Sequence, residues 1–160
     1  MMPFAQWIDA WNALYAGHPV LRTAVDFIHI GGLLAGGGCA VTADLATISA
    51  ARDSLTARST ELRVLKRTHA LVISGLVALS ASGALLFFAD VGTYLYSRVF
   101  WLKMALVVLL LGNGVLLLRQ ERRVNQGDAD AWRRLHMTAV TSLALWFLTT
   151  LIGAALPNLG

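Results

Sequence analysis

The chain has 160 residues, of which 57 % are hydrophobic and 14 % charged, against about 45–50 % and about 25 % in soluble globular domains. The apolar excess is gathered into four blocks, each near the roughly 20 residues that cross a bilayer; this excludes a disordered tail, a disulfide-stapled mini-protein and a soluble nucleic-acid binder. The formal charge of +4, from 13 Lys and Arg against 9 Asp and Glu, carries no nucleic-acid signal, because the cations cluster between the apolar blocks.

The first stretch, 1–19, carries Phe4, Trp7, Ile8, Trp11, Leu14 and Tyr15 at the spacing of three and four that marks an amphipathic helix. It has no basic segment and apolar run ahead of a cleavage site, so it reads as an interfacial helix with an aromatic face rather than a secretory signal. His18-Pro19 then breaks the chain. Spans are expected at about 25–48, 68–89, 99–118 and 136–156. Each must be helical, because lipid offers the backbone no hydrogen-bond partners, and the continuous apolar runs lack the alternation of a membrane barrel. The expected fold class is all-α: a single domain over 1–160, an integral membrane four-helix up-down-up-down bundle preceded by the interfacial helix.

The connections carry the charge. Residues 49–67 hold Arg52, Arg58, Arg63, Lys66 and Arg67, and residues 119–135 hold Arg119, Arg122, Arg123, Arg133 and Arg134. With four spans these two connections share a side, and the positive-inside rule makes that side the cytoplasm of a bacterial inner membrane, with both termini periplasmic or exterior. The single cysteine, Cys39, lies inside the first span and has no partner for an intramolecular disulfide.

Ionisable residues inside spans are costly and mark candidate sites. His29 lies in the first span, with Asp26 one turn before it on the same face. Lys103 lies about one turn into the third span, counted from the same side of the membrane, so Asp26, His29 and Lys103 can form one site near the outer face. The alternative is that Lys103 snorkels to the headgroups and Asp26 meets water at the helix start. His69 and His136 begin the second and fourth spans at nearly one depth. They form a rival pair able to ligate haem iron or a metal, or else two ordinary interfacial histidines beside basic clusters.

Gly32 and Gly36 stand in GxxxG spacing, and Gly112 and Gly114 flank Asn113; small residues let a helix or a flat macrocycle approach closely. Asn113 needs a partner in lipid and is expected to bridge helices. Tyr94, Tyr96 and Trp101 mark an interfacial belt. The chain contains no P-loop, GxGxxG, GxSxG or HExxH, so nucleotide and hydrolase chemistries have no residues to stand on. Asp26, Asp44, Asn113 and Lys103, without interrupted half-helices, are a thin basis for a transporter.

Three segments carry a resemblance: Phe27-Ile28-His29-Ile30-Gly31-Gly32, the run LVISGLVALSASGALLFF at 71–88, and Phe100-Trp101-Leu102-Lys103 leading through an apolar run to Asn113. Together they resemble small bacterial four-helix membrane proteins. These include families with an F-x-x-K…N third helix, the membrane domain of copper-resistance protein D, and the four-helix membrane protoporphyrinogen oxidase. The resemblance covers about 25–118, and the oxidase likeness implies His29 and Lys103 as a functional pair with haem b. The chain lacks the His beside the third-helix Lys that the oxidase tends to show, and has no Met- or His-rich outer segments. The expected function is therefore haem binding for electron transfer or haem and metal handling, with His29, His69 and His136 as candidate ligands. A cofactor-free subunit, packing in a larger membrane complex or a homo-oligomer through glycine faces, is the alternative. Copper handling stands third.

Overall fold

The computed structural model describes residues 4–50, 55–128 and 130–159, and of 4–5 and 55–68 the backbone only. Arg52 and the side chains of Phe4, Arg58, Arg63, Lys66 and Arg67 lie outside the described residues. The described residues form helices and no strand: α1 (Phe4–Gly17), α2 (Pro19–Gly32), a π-helical turn (Leu33–Gly37), α3 (Gly38–Ala50), α4 (Leu55–Ala89), α5 (Val91–Tyr96), α6 (Arg98–Asn125) and α7 (Ala131–Leu159). Four stretches are long and apolar enough to cross a membrane, Pro19–Ala50, His69–Ala89, Arg98–Asn125 and Ala131–Leu159. The chain is a multi-pass, all-α membrane protein.

Helix ends follow backbone chemistry rather than the edges of hydrophobicity. The first membrane helix starts at Pro19, whose fixed φ and missing N–H suit the first helical position. It continues through the π-helical turn without a break. The Asp90 carboxylate accepts from the Thr93 amide (3.2 Å) and caps α5. The Ser97 hydroxyl accepts from the Phe100 amide (3.1 Å) and caps α6. At its other end α6 runs past the expected boundary of 118 as a charged helix, and the chain turns at Gly127, whose φ of 84° suits glycine.

Pairwise contacts establish the antiparallel bundle. Gly32 and Gly36 meet Gly75, and His29 meets Ser82, between α2 and α4. Asn113 meets Thr138 and Lys103 meets Gly153 between α6 and α7, while Gly37 meets Trp146 across to α7. The core is built on one face of α7, where Ala131, Leu135, Ala139, Ser142 and Trp146 are buried. It faces Ala43, Asp44, Thr47 and Ala50 of α3 and Leu110, Asn113 and Glu121 of α6. The outward surface is apolar, with Phe27 at 73 % and Phe147 at 65 % exposure, as contact with lipid requires. α1 is held to its own chain, since the Trp11 indole N–H donates to the Leu85 carbonyl (2.9 Å).

The Gly32–Gly36 face is filled inside the chain. A Cβ at Gly75 would lie 2.4 Å from the Gly36 Cα and 2.9 Å from the Gly32 carbonyl oxygen. This face is therefore not free for a second protein. Gly31, Gly38, Gly112 and Gly114 have nothing within 4 Å of a notional Cβ.

Candidate functional site

The starts of α2 and α6 and the ends of α4 and α7 lie at the end of the bundle that carries α5. His29 is half-buried there, and its Nδ1 lies 3.0 Å from the Ser82 hydroxyl. That hydroxyl has one proton, and its shortest contact is the Ala78 carbonyl oxygen at 2.6 Å, which can only accept. The Ser82 oxygen therefore accepts from the His29 Nδ1–H, with the Leu79 carbonyl as a second acceptor beside the ring. This hydrogen bond sets the tautomer and leaves the lone pair on Nε2. Gly83 lies under the ring edge, where a Cβ would sit 3.4 Å from the imidazole Cε1.

Lys103 comes to the same region from α6. Its Cε and Nζ both lie 3.5 Å from the position of a Gly153 Cβ, so the side chain runs along α7. Ser82 is seven residues from the end of α4, Lys103 five from the start of α6 and Gly153 six from the end of α7. At a rise of roughly 1.5 Å per residue, all three lie about 8–10 Å inside the ends of their helices. Among the described residues no acid and no hydrogen-bond acceptor pairs with the Lys103 ammonium.

Asp26 is exposed and accepts the Tyr15 hydroxyl at 3.5 Å. Its charge bears on His29, as does that of Lys103, so the three residues singled out in the sequence share one electrostatic environment. The Tyr15 hydroxyl is pushed above its ordinary 10.0 by burial and then by Asp26. Tyr94 moves the same way, by burial and then by Asp90 and Asp26. Aromatic rings cover this end: Phe87 stacks on Phe100 with centroids 5.3 Å apart, Tyr94 lies 5.6 Å from Phe100, and the Trp101 indole donates to the Leu95 carbonyl at 3.0 Å.

The second candidate pair is arranged differently. His69 Nε2 lies 3.4 Å from Glu121 Oε2, a charge contact longer than an ordinary hydrogen bond. Glu121 is 4 % exposed. The sequence places it among the charges of a connection, yet it shares a helical face with Leu110 and Asn113, eleven and eight residues earlier; that spacing was the available signal. His136 is half-buried on α7. Among the described residues no three His, Cys, Asp or Glu side chains converge, so His29, His69 and His136 belong to no shared metal cluster.

Asn113 bridges helices as expected, its amide donating to the Thr138 carbonyl (3.1 Å). Asp44 is the residue that sequence reasoning undervalued. It is 2 % exposed on α3, its one side-chain hydrogen bond is to Ser142 of α7, and its Oδ2 has no partner.

Comparison of the chain with protein-family models, curated proteins and solved structures returned no match. The likeness to the copper-resistance and protoporphyrinogen oxidase membrane proteins thus rests on the three short motifs alone.

Proposed function

We propose that this chain is a bacterial inner-membrane protein that binds haem b at the α5 end of the bundle, for electron transfer or haem handling. One observation carries the reading: an imidazole oriented through Nδ1 lies within electrostatic range of an ammonium, and among the described residues neither its Nε2 nor that ammonium has a hydrogen-bond or ion-pair partner. A metal-ligating histidine commonly has its other ring nitrogen held by a hydrogen bond. A half-buried ammonium in a membrane helix calls for an anion. Haem presents both complements, an iron for Nε2 and propionate carboxylates for Lys103. Bound haem would supply one-electron chemistry, with its potential set by the axial ligand and burial. In this reading His29 is the ligand, Ser82 orients it, Lys103 holds a carboxylate, and Asp26 adjusts the local charge from the surface.

The geometry favours His29 over the His69–His136 pair, because His69 Nε2 already faces Glu121. The distribution of cations supports a periplasmic α5 end and periplasmic termini, with 49–67 and 119–135 in the cytoplasm. A cofactor-free subunit of a larger membrane complex is the second reading. It is favoured by Gly112 and Gly114, which stand open on α6.

An absorption spectrum of the detergent-solubilised protein, expressed with haem precursor, separates the two. The proposal expects a Soret band that disappears in His29→Ala and survives in His69→Ala and His136→Ala. The reverse pattern moves the site to the opposite end, and a colourless wild-type protein removes the haem reading. A topology reporter fused after Gly160 is expected to report the periplasm.

A further inference from the structure

Asp44 stands apart from the site above, nearer the opposite end of the bundle. It is fifteen residues beyond His29 on the same membrane helix, about 22 Å at roughly 1.5 Å per residue. Its surroundings are unusual for a carboxyl group. It is 2 % exposed, flanked on its own helix by buried Ala43 and Thr47, and it faces buried Ser142 on α7. Thr47 offers it no proton, because that hydroxyl donates to the Ala43 carbonyl at 2.9 Å. The Oδ2 atom is buried and has no hydrogen-bond partner.

Among the described residues no cation is placed beside it; the side chains of Arg63, Lys66 and Arg67, on the part of α4 that packs towards α3, lie outside the described residues. α3, together with the π-helical turn, contributes Cys39 as its other titratable group. The described titratable groups towards that end of the neighbouring helices are His69 of α4, which faces Glu121 of α6, and His136 of α7, six residues before Ser142; α4 has none between His69 and Ala89, and α7 none after His136. A carboxylate held by one hydroxyl, inside a membrane helix and without a counter-ion among the described residues, would be an uncompensated buried charge; such a group takes up a proton instead. A carboxyl that served only to tie α3 to α7 would be expected to satisfy both oxygens.

We infer that Asp44 is a membrane-internal proton-binding site: a neutral carboxylic acid, paired with Ser142, whose second oxygen exchanges a proton. This rests on Asp44 and its neighbours and is independent of the haem reading. A hydrophobic carbodiimide such as dicyclohexylcarbodiimide tests it directly. The neutral acid gives its proton to a carbodiimide nitrogen while the carboxyl oxygen bonds to the central carbon. The O-acylisourea so formed rearranges to a stable N-acylurea with no atom lost.

In the intact protein in lipid nanodiscs, peptide mapping by mass spectrometry is expected to place the adduct on Asp44 at neutral pH. The exposed acids Asp9, Asp26, Asp90, Asp128 and Asp130 should remain unmodified, and labelling of Asp44 should fall in alkaline buffer. Infrared spectroscopy of the same sample is expected to show a protonated-carboxyl band at neutral pH. That band should shift in heavy water, vanish reversibly at high pH and be absent from Asp44→Asn. An unmodified Asp44 in the wild-type protein overturns the proposal whether or not the variant folds. So does a carboxyl band indifferent to both heavy water and alkali, which would mark a sealed structural acid.

Discussion

Replacing Gly75 by alanine tests whether the α2–α4 crossing holds the candidate site in place. The added Cβ would lie 2.4 Å from the Gly36 Cα, 2.5 Å from the Gly36 nitrogen and 2.9 Å from the Gly32 carbonyl oxygen. Carbon atoms in contact sit about 3.5–4.0 Å apart, so the shortfall is about 1–1.5 Å. All three obstructing atoms are backbone and belong to one continuous helix, so no rotamer change relieves the clash and the two helices must separate. Overpacking of this kind costs about 1–3 kcal/mol, and the gain of alanine over glycine within a helix, about 0.5–1 kcal/mol, does not offset it. Gly112→Ala is the control: nothing lies within 4 Å of its Cβ, so only the favourable helix effect of up to about 1 kcal/mol remains. Reversible unfolding in mixed micelles of rising SDS content, followed by circular dichroism, should show Gly75→Ala losing its helices at lower SDS than wild type. Gly112→Ala should match or exceed wild type. Because Ser82 is seven residues along α4 from Gly75, roughly 10 Å away, the 3.0 Å His29–Ser82 contact should open as well, and haem binding should weaken with stability. A Gly75→Ala protein as stable as wild type would refute the close crossing.

Ser82→Ala removes the group that orients His29 and is expected to weaken haem binding by about 10–100-fold while leaving the Soret band attainable at high haem concentration, measured by haem titration. Lys103→Met removes the proposed carboxylate partner; binding of haem should fall more than binding of its dimethyl ester, and equal losses would exclude the propionate contact. His69→Ala leaves buried Glu121 facing no partner among the described residues and is expected to cost about 1–3 kcal/mol in SDS unfolding, with the double variant His69→Ala, Glu121→Gln recovering part of the loss. Asn113→Leu removes the hydrogen bond to Thr138 and should cost only about 0.6–1.7 kcal/mol, the range of interhelical hydrogen bonds in membranes.

The four spans were legible because membrane insertion is a one-dimensional signal: length and continuous apolarity suffice, and neither depends on which helix neighbours which. The same holds for Asp26 and His29, one turn apart on one helix. Ser82 is different. It is an ordinary serine in a small-residue run, and only the antiparallel register of α2 on α4 makes it the group that fixes the His29 tautomer. The burial of Glu121 and Asp44 is hidden from the sequence for the same reason. The first stands among arginines and the second alone in an apolar span, whereas burial depends on the faces of α7 and of the helices packed against it. The glycines show the point from the other side. Gly32–Gly36 and Gly112–Gly114 both offer small residues on a membrane helix, yet Gly75 on α4 consumes the first pair and none of the described residues comes within 4 Å of a Cβ on the second. Spacing thus records that a close approach is possible, and the partner decides whether it happens. Among the unmet groups of the described residues, three bear on function: a lone pair on His29, an ammonium at Lys103 and an orphaned oxygen at Asp44. In a medium that supplies neither counter-ions nor water, each calls for something the protein does not provide from its own described residues. The first two lie at one end and suit a single anionic macrocycle, whereas the third lies some 22 Å away by helix rise and needs no more than a proton.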